Sequence, residues 1–388
     1  MAEVKSINEN PKREYCQNNW GVNGMRKIVQ VSSYYPPRLG GMQNVVRELS
    51  ERLAADGQEV EVYTSTIGTN TGRIASTKNL NIKYLWGFDI AHTAIMPMLF
   101  FRLLLISRNS VMHIHTPRPY TAEIAALAAK IRGIPYIVQV HSDIQPLGLL
   151  KFLIPSYKKI VWGWVMRGAA TVVFLSASHE AEFKKLYSLQ RTAVIPNGVD
   201  DKYFIKRSAP SPPLRLLFVG RLNNQKNIPF LVEAVSLMKQ TVSLDIVGEG
   251  EMQEELSYII KNKRLADKVI LQGKKTGDEL INFYRNANIY IMASHFEGLS
   301  LAMLEAMAAG LPVVAVNAPG VSEFIQNCGI VVKDATPKSF AARLDDTVKD
   351  LALLAQLSQQ SQKEAQHYQW PKVISEFNEL YQRCGENV

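Results

Sequence analysis

The sequence predicts an α/β protein made of two Rossmann-like domains, each with a parallel sheet, that face each other across a cleft. Strand patterns alternate with helical patterns along almost the whole chain, which is the order of consecutive βαβ units. A Pro/Ser-rich segment over residues 206–213 divides these units into two series and is interpreted as an interdomain linker. The length of 388 residues suits two domains of ordinary size.

The first series begins at Met25 with a short, β-rich apolar run that follows a polar lead. After a Pro/Gly loop, apolar residues recur at helical spacing from Val45 to Leu53, and Gly57 ends this predicted helix. The alternation then continues with a predicted helix over 122–133 and predicted strands over 59–65, 111–116, 135–141, 170–176 and 192–198.

The second series follows the linker with the same alternation. Its predicted helices cover 228–240, 251–262, 278–287 and 301–310, and its predicted strands cover 214–220, 243–250, 268–273, 289–294 and 312–316. The sequence therefore divides into a polar extension over 1–24, expected to be disordered, a domain over 25–207 and a second domain over 208–369.

The amino-acid composition indicates a globular protein and argues against several other classes of protein. The hydrophobic fraction of 47% is typical of a globular chain, and no apolar run reaches the roughly 18 residues that indicate a spanning helix. The N-terminus lacks the apolar core of a secretory signal. Cys16, Cys328 and Cys384 lie far apart without metal-ligand spacing, so we expect a cytoplasmic protein without disulfides or zinc.

The net charge of +9 is concentrated in the first half. Residues 26–207 carry 23 Lys+Arg against 12 Asp+Glu, whereas the second half is close to neutral. Such basicity favours anionic partners, although plain solubility explains it equally well. Residues 90–122 and 144–179 contain no acidic side chain. In the second stretch Lys151, Lys158, Lys159, Trp162 and Trp164 suit an anionic membrane interface, and the alternative is a buried helix with cations that reach outward.

Ligands of open parallel sheets bind beyond the carboxyl ends of the strands, so the residues that follow each strand are candidates. Gly40-Gly41 follows the first strand, where glycines let the backbone of a helix N-terminus approach a phosphate. The alternative is a tight turn.

Arg221 and Lys226 follow the first strand of the second domain and could neutralise a diphosphate. Because the chain has no Asp-x-Asp pair, we expect this clamp to need no metal.

Two glutamates and a histidine complete the set of candidates. Glu297 follows the strand over 289–294, and residues 298–300 would offer backbone N–H groups at the start of the next helix. Glu305 lies inside that apolar helix, where a carboxylate needs a partner such as a ribose diol. His141 ends a strand at the cleft and could bind a sugar hydroxyl, while one of His113 and His115 is expected in the core.

Together these residues resemble glycosyltransferase family 4, whose members have the GT-B fold. The most specific match is the Glu-x7-Glu element from Glu297 to Glu305, and the phrases at 196–200, 219–227 and 247–251 also resemble the family in order and spacing. The segment near the C-terminus resembles the family's terminal helix, which crosses back onto the first domain, so about 370–388 is assigned to that domain.

The resemblance implies a retaining transfer of a hexose-type sugar from a nucleotide-diphosphate donor, UDP or GDP first, to an acceptor hydroxyl. It implies that Glu305 holds the donor ribose and that Arg221 and Lys226 bind the diphosphate with the Gly40-Gly41 backbone and the amides of Gly298, Leu299 and Ser300. It further implies that Glu297 contacts the donor sugar and that His141 lies beside its C6 hydroxyl. The family often has Gly-Phe-Gly where this chain has Gly298-Leu299-Ser300, which leaves the donor sugar open.

Three other interpretations stay open at this point. A sugar-nucleotide epimerase shares the architecture but needs no acceptor. A non-enzymatic sugar or nucleotide binder would not need all five polar candidates, and a nucleic-acid binder would explain only the charge. For a transferase, the acceptor is either lipid-linked, at the inner face of the membrane, or soluble. No cofactor is expected in any of these cases.

Overall fold

Two parallel sheets with helices on both faces form the chain in the computed structural model. The structure describes residues 26–38, 40–69, 72–90, 93–116, 119–142, 154–207 and 210–386. The predicted extension over 1–24 and Lys151 lie outside these ranges.

The first sheet has seven parallel strands, and a separate antiparallel hairpin lies beside it. The strands are β1 Lys27–Val31, β2 Val60–Ser65, β3 Leu80–Leu85, the hairpin strands β4 Phe88–Ile90 and β5 Thr93–Ile95, then β6 Ser110–Thr116, β7 Tyr136–Val140, β8 Thr171–Phe174 and β9 Thr192–Val194. The order across the sheet is β3-β2-β1-β6-β7-β8-β9, so the direction of winding reverses between β1 and β6.

The described helices of this half are α1 Gly41–Ala55, α2 Leu99–Leu103, α3 Thr121–Arg132, α4 Ile154–Tyr157, α5 Gly163–Arg167 and α6 Ala177–Tyr187. Residues with a preference for helix termini mark the ends of two of these helices. Gly133 ends α3 in the left-handed conformation, and the Ser176 hydroxyl caps α6 by accepting the His179 N–H.

The second sheet has six parallel strands in the order β12-β11-β10-β13-β14-β15. They are β10 Leu214–Val219, β11 Val242–Val247, β12 Val269–Gly273, β13 Ile289–Met292, β14 Val313–Val316 and β15 Gly329–Val332. The helices are α7 Ile228–Leu237, α8 Gln253–Asn262, α9 Gly277–Asn286, α10 Leu301–Ala308, α11 Ser322–Ile325, α12 Pro337–Lys349, α13 Leu351–Ala365 and α14 Trp370–Glu386. This sheet reverses its winding between β10 and β13. The predicted fold class, two parallel-sheet α/β domains, is therefore confirmed.

Apolar side chains cover both faces of each sheet, which is why the strands are almost continuously hydrophobic. One face of the first sheet packs against α14, which contributes Trp370, Phe377 and Tyr381 to a core that also contains Ile28 and Val111. The last helix is therefore part of the first domain's core. The two cysteines that the structure describes are buried free thiols.

On the opposite face of the first sheet, α2, α3 and α5 pack side by side and turn apolar residues towards solvent. This apolar outer face consists of Phe101, Leu105, Leu127, Ile131, Ile160 and Trp164, all more than one third exposed. Between residues 93 and 177 the described chain carries a single acidic side chain, Glu123, which accepts a hydrogen bond from Tyr157. Within the described ranges, no helix is both long and apolar enough to cross a bilayer.

The prediction that Trp162 lies on a membrane-facing surface is wrong. Trp162, the last residue of a π-helical turn over Lys158–Trp162, faces inward, where it is 1% exposed and packs among the core residues of the first domain. Two residues later, Trp164 points outward and lies under the Lys130 ammonium, 4.2 Å from the ring centre. The two tryptophans therefore have opposite roles.

Substituting the two tryptophans separately tests this assignment. Trp162→Ala removes a filled core volume and should destabilise the first domain by about 3–5 kcal/mol. Trp164→Ala is the matched control and should change stability by less than about 1 kcal/mol, because its ring is partly solvated. Urea denaturation of both variants measures the difference. Equal effects would contradict the inward rotation of Trp162.

Candidate functional site

The site lies between the carboxyl ends of the two sheets, near the strands where each winding reverses. The N-terminus of α1, which begins at Gly41, faces the N-terminus of α10 on the other domain. A β-carbon on Gly41 would be 3.9 Å from Leu301 Cδ1. The Gly40-Gly41 turn and the loop over residues 298–300 therefore form opposite walls of one narrow cleft, with the positive ends of two helix dipoles towards it.

The domains approach each other most tightly at Gly298. A β-carbon on this residue would lie 2.0 Å from the backbone carbonyl oxygen of His141, which is too close for any side chain. Leu299 is buried beside it, and its carbonyl accepts a hydrogen bond of 3.0 Å from the Asn197 side chain. Ser300 caps α10 by accepting the Met303 N–H. The glycine is required by contact between the halves.

Lys226 and Glu297 form an ion pair on the second-domain wall of the cleft. The Lys226 side chain is 17% exposed and the Glu297 side chain 8% exposed, so both charges are largely withdrawn from water. Arg221 begins the same loop and is exposed. The structure thus brings one predicted phosphate ligand, Lys226, into contact with the predicted sugar ligand, Glu297.

Backbone contacts fix this pair. The Asn223 side chain accepts the Lys226 N–H in a short 3₁₀ turn, and the Gln225 side chain donates to the Phe296 carbonyl at 2.9 Å. The Glu297 N–H donates to the Pro319 carbonyl. Both loops are therefore held to each other, so the two charged groups are fixed in position by the fold.

Glu305 lies on the second turn of α10 and is partly buried. Its carboxylate accepts a hydrogen bond of 2.7 Å from the Tyr284 hydroxyl and another from Tyr203. Burial raises the pKa of the Glu305 carboxyl to about 7, although the two tyrosines oppose this shift. Two tyrosine hydroxyls thus supply the hydrogen-bond partner that a carboxylate inside an apolar helix needs. The role of Glu305 in binding the donor ribose stays a prediction.

His141 follows β7 at the first-domain wall and is 8% exposed. Its Nε2 atom lies 3.0 Å from His115 Nδ1, and His115 Nε2 lies 2.5 Å from Gln30 Oε1. Both His113 and His115 are buried, whereas the sequence led us to expect one of them in the core. Burial lowers the pKa of His141 and of His113 to about 3 and that of His115 well below its usual value.

The predicted membrane residues that the structure describes lie in the helical segment that precedes β8. Lys158 is partly buried and Lys159 is exposed, on the turn that leads to Trp164 at the edge of the apolar outer face. In the described part of the chain, no three His, Cys, Asp or Glu side chains gather closely enough to hold a metal ion.

Sequence reasoning missed several side chains that support the site: Gln30, Asn197, Tyr203, Tyr284 and Tyr381. Asn197 lies within the quoted phrase at 196–200, so a signal for it was available. The others are separated from their partners by long stretches of chain, and nothing in the local pattern distinguishes them from ordinary core residues. Taken together, the cleft offers backbone N–H groups and cations for a phosphate, and carboxylates for hydroxyl groups.

Two family models match the chain, one on each domain. The model for glycosyl transferases group 1 matches residues 199–364, and the model for glycosyltransferase family 4 matches residues 39–203. The matched stretches together span both walls of the cleft.

Among curated relatives, an uncharacterized glycosyltransferase of Methanocaldococcus jannaschii is 26% identical, over 93% of this chain and 99% of that protein. The GDP-mannose:cellobiosyl-diphosphopolyprenol alpha-mannosyltransferase of Xanthomonas oryzae pv. oryzae is 24% identical, over 92% of this chain and 96% of that protein.

Solved structures share the fold along the whole length. Sucrose-phosphate synthase from Thermosynechococcus elongatus superposes with a TM-score of 0.75 at 22% identity, over 92% of this chain and 98% of that chain. HepE of Anabaena in complex with UDP-glucose superposes with a TM-score of 0.72 at 16% identity, over 92% of this chain and 100% of that chain. With two family models on its two domains and the GT-B fold throughout, this chain belongs to the group 1 glycosyltransferases of family 4.

Proposed function

We propose that this glycosyltransferase transfers a hexose from a UDP- or GDP-sugar to an acceptor hydroxyl with retention of the anomeric configuration and without a metal ion. The observation that carries the proposal is the meeting of two helix N-termini and the Lys226–Glu297 pair in one cleft. Dipoles and a cation suit the diphosphate, and the carboxylate suits sugar hydroxyls. Relatives that use GDP-mannose or bind UDP-glucose support a nucleotide sugar as donor.

In the proposed reaction the bond between the sugar C1 and the diphosphate oxygen breaks, and its electron pair stays on the phosphate. Fixed positive charge from Lys226, Arg221 and the two helix N-termini stabilises that developing negative charge. The acceptor oxygen attacks C1 on the face that the diphosphate leaves, and its proton passes to a departing phosphate oxygen. The close approach of the domains at Gly298 excludes water from this step.

A direct assay tests the reaction and the clamp. The purified protein with UDP-glucose or GDP-mannose should transfer sugar in the presence of a chelator, and early product should keep the donor's anomeric configuration by NMR. Lys226→Met should lower kcat/KM by about 10²-fold or more, because one stabilising charge is lost. Lys263→Met is the control, since Lys263 also pairs with a glutamate, Glu233, but on an exposed surface.

Three outcomes of that assay count against the proposal. Loss of activity in chelator, restored by Mg²⁺ or Mn²⁺, would contradict the metal-free clamp. An inverted product would contradict retention, and an epimerised nucleotide sugar formed without any acceptor would favour an epimerase.

Glu305 offers a prediction that couples pH, stability and nucleotide binding. Because its folded pKa of about 7 lies above the ordinary value, the folded state keeps a proton that the unfolded chain has lost between about pH 4.5 and 7. Stability should therefore fall as pH rises through this window. At pH 8, Glu305→Gln should be more stable than the parent by about 1–3 kcal/mol, and at pH 4 the two should be equal.

The same variant should bind the nucleoside diphosphate about 10- to 100-fold more weakly at pH 8, since a neutral amide replaces a carboxylate that accepts two ribose hydroxyls. Calorimetry measures the affinity, and Glu254→Gln, on the exposed side of α8, is the matched control. An unchanged affinity in Glu305→Gln would contradict the ribose role.

For the acceptor we propose a lipid-linked molecule, reached by peripheral binding to an anionic membrane at the cytoplasmic side. The apolar outer face supports this, because Ile160 and Trp164 are exposed beside Lys130, Lys159 and Arg167. Exposed apolar side chains ringed by cations suit the boundary between acyl chains and anionic headgroups. A relative whose acceptor is a diphosphopolyprenol supports the same class.

Charge reversal on this face should weaken membrane binding. The double variant Lys158→Glu/Lys159→Glu should bind vesicles containing about 30% phosphatidylglycerol at least tenfold more weakly, at roughly 1 kcal/mol per basic residue near the surface. Reversal of Lys338 and Lys349, two exposed lysines of α12, is the control. Cosedimentation measures binding. Identical sedimentation of the parent and the variant would leave a soluble acceptor as the alternative.

A further inference from the structure

A continuous row of buried polar side chains leads from the cleft to the last helix. The row begins with His141, His115 and Gln30, which are joined by hydrogen bonds in that order. It continues to the last helix, because Gln30 Nε2 donates to the Tyr381 hydroxyl at 3.3 Å. The Tyr381 hydroxyl lies 2.7 Å from His113 Nδ1. The row therefore runs from the end of β7 across β6 and β1 to α14, and Tyr381 of α14 joins it to His113 on β6. The five side chains are each at most 8% exposed, so water does not compete for their hydrogen bonds.

The amide of Gln30 fixes the direction of these bonds. Its oxygen can only accept, so the nitrogen of His115 that faces it carries the proton. A neutral imidazole has one N–H, so His115 Nδ1 is an acceptor. His141 Nε2 must then donate to it, which leaves His141 Nδ1 with a lone pair.

Tyr381 bonds the other end of the amide. The Gln30 amino group donates to the phenol oxygen, so the phenol proton can be donated to His113 Nδ1, 2.7 Å away. Burial raises the pKa of Tyr381 and lowers the pKa of His113, His115 and His141, so the row stays neutral near pH 7. The hydrogen bonds of the row therefore determine which ring nitrogen of His141 carries the proton.

We propose that Gln30, His115 and Tyr381 are positioning residues that hold His141 in the tautomer with an unprotonated Nδ1, and that this nitrogen selects a donor sugar with a hydroxyl opposite it. The inference rests on the proposed function for the presence of a donor sugar beside His141. A hydroxyl can donate to the lone pair of Nδ1. A carboxylate at the same position would bring oxygen lone pairs against it, so a uronic acid donor should be rejected in favour of the neutral hexose.

Substitution of Gln30 tests the direction of the row. In Gln30→Glu the carboxylate favours a protonated His115, whose Nδ1–H then donates to His141 and leaves a proton on His141 Nδ1. The kcat/KM ratio of the neutral hexose donor to its uronic acid analogue should fall about tenfold or more. In Gln30→Met the row is cut, and kcat/KM with the neutral donor should fall about tenfold or more, the size seen when a hydrogen-bond partner of a metal-ligating histidine is removed.

Gln58→Met is the matched control, because Gln58 is a second buried glutamine whose amide also bonds α14, at Asn378. It should change kcat/KM less than about twofold, the level of substitutions away from a site. Nucleoside diphosphate affinity should stay at the parent value in every variant, since Gln30 bonds His115 and Tyr381 and none of the groups proposed to bind the diphosphate. A loss of that affinity together with loss of the fold would assign Gln30 a merely structural role and overturn the proposal.

A spectroscopic readout separates this inference from the proposed function. Long-range ¹H–¹⁵N spectra of histidine-labelled parent protein should show His141 protonated on Nε2 and not on Nδ1, with assignment from a His141→Asn variant. The opposite tautomer would overturn the inference even in an active transferase. If no donor is turned over but the spectrum is as expected, the transferase proposal fails while the tautomer assignment stands.

Discussion

The contact between Gly298 and the His141 carbonyl is the constraint on which the arrangement of the site depends. It joins the loop after β13 to the loop after β7, so it sets the spacing between the carboxyl ends of the two sheets. At that spacing the first turns of α1 and α10 lie across one cleft, and His141 faces the wall that carries Glu297. A side chain at position 298 would separate the halves and move every one of these groups at once.

Charge within the cleft is organised by partners that exist before any ligand arrives. Lys226 and Glu297 neutralise each other, and Glu305 is held by Tyr203 and Tyr284. A buried charge without a partner would be costly, so these pairings keep the groups in position at acceptable free energy. In the proposed reaction, ligand binding would exchange one set of hydrogen bonds for another, which needs less rearrangement than ordering flexible side chains.

Much of this could be predicted from the sequence. Buried parallel strands have a strong signature, and residues just after them lie at a common edge, so the two glycines, Glu297 and His141 could be assigned to one cleft. The environment of Trp162 was predicted wrongly, because residues two positions apart on a helix point in directions roughly 200° apart, so Trp162 and Trp164 do not share one face. The β4–β5 hairpin was also missed, since strands of three residues carry too little periodicity to be seen.

The buried residues that support the site could not be predicted for a different reason. Tyr381 meets His113 across 268 residues of chain, and Gln30 meets Tyr381 across 351. Such contacts depend on the path of α14 back to the first domain, which no local pattern encodes. The resemblance of the final segment to a crossing helix gave its destination but not the residues that it brings.

That return path has a consequence for biosynthesis. The core of the first domain stays open along one face until Trp370, Phe377 and Tyr381 emerge from the ribosome, after the entire second domain has been made. A nascent chain that contains every cleft residue but lacks α14 therefore has an incomplete first domain and an unanchored Gln30. Co-translational folding of this protein is consequently non-sequential: the domain that is synthesised first is the one that is finished last.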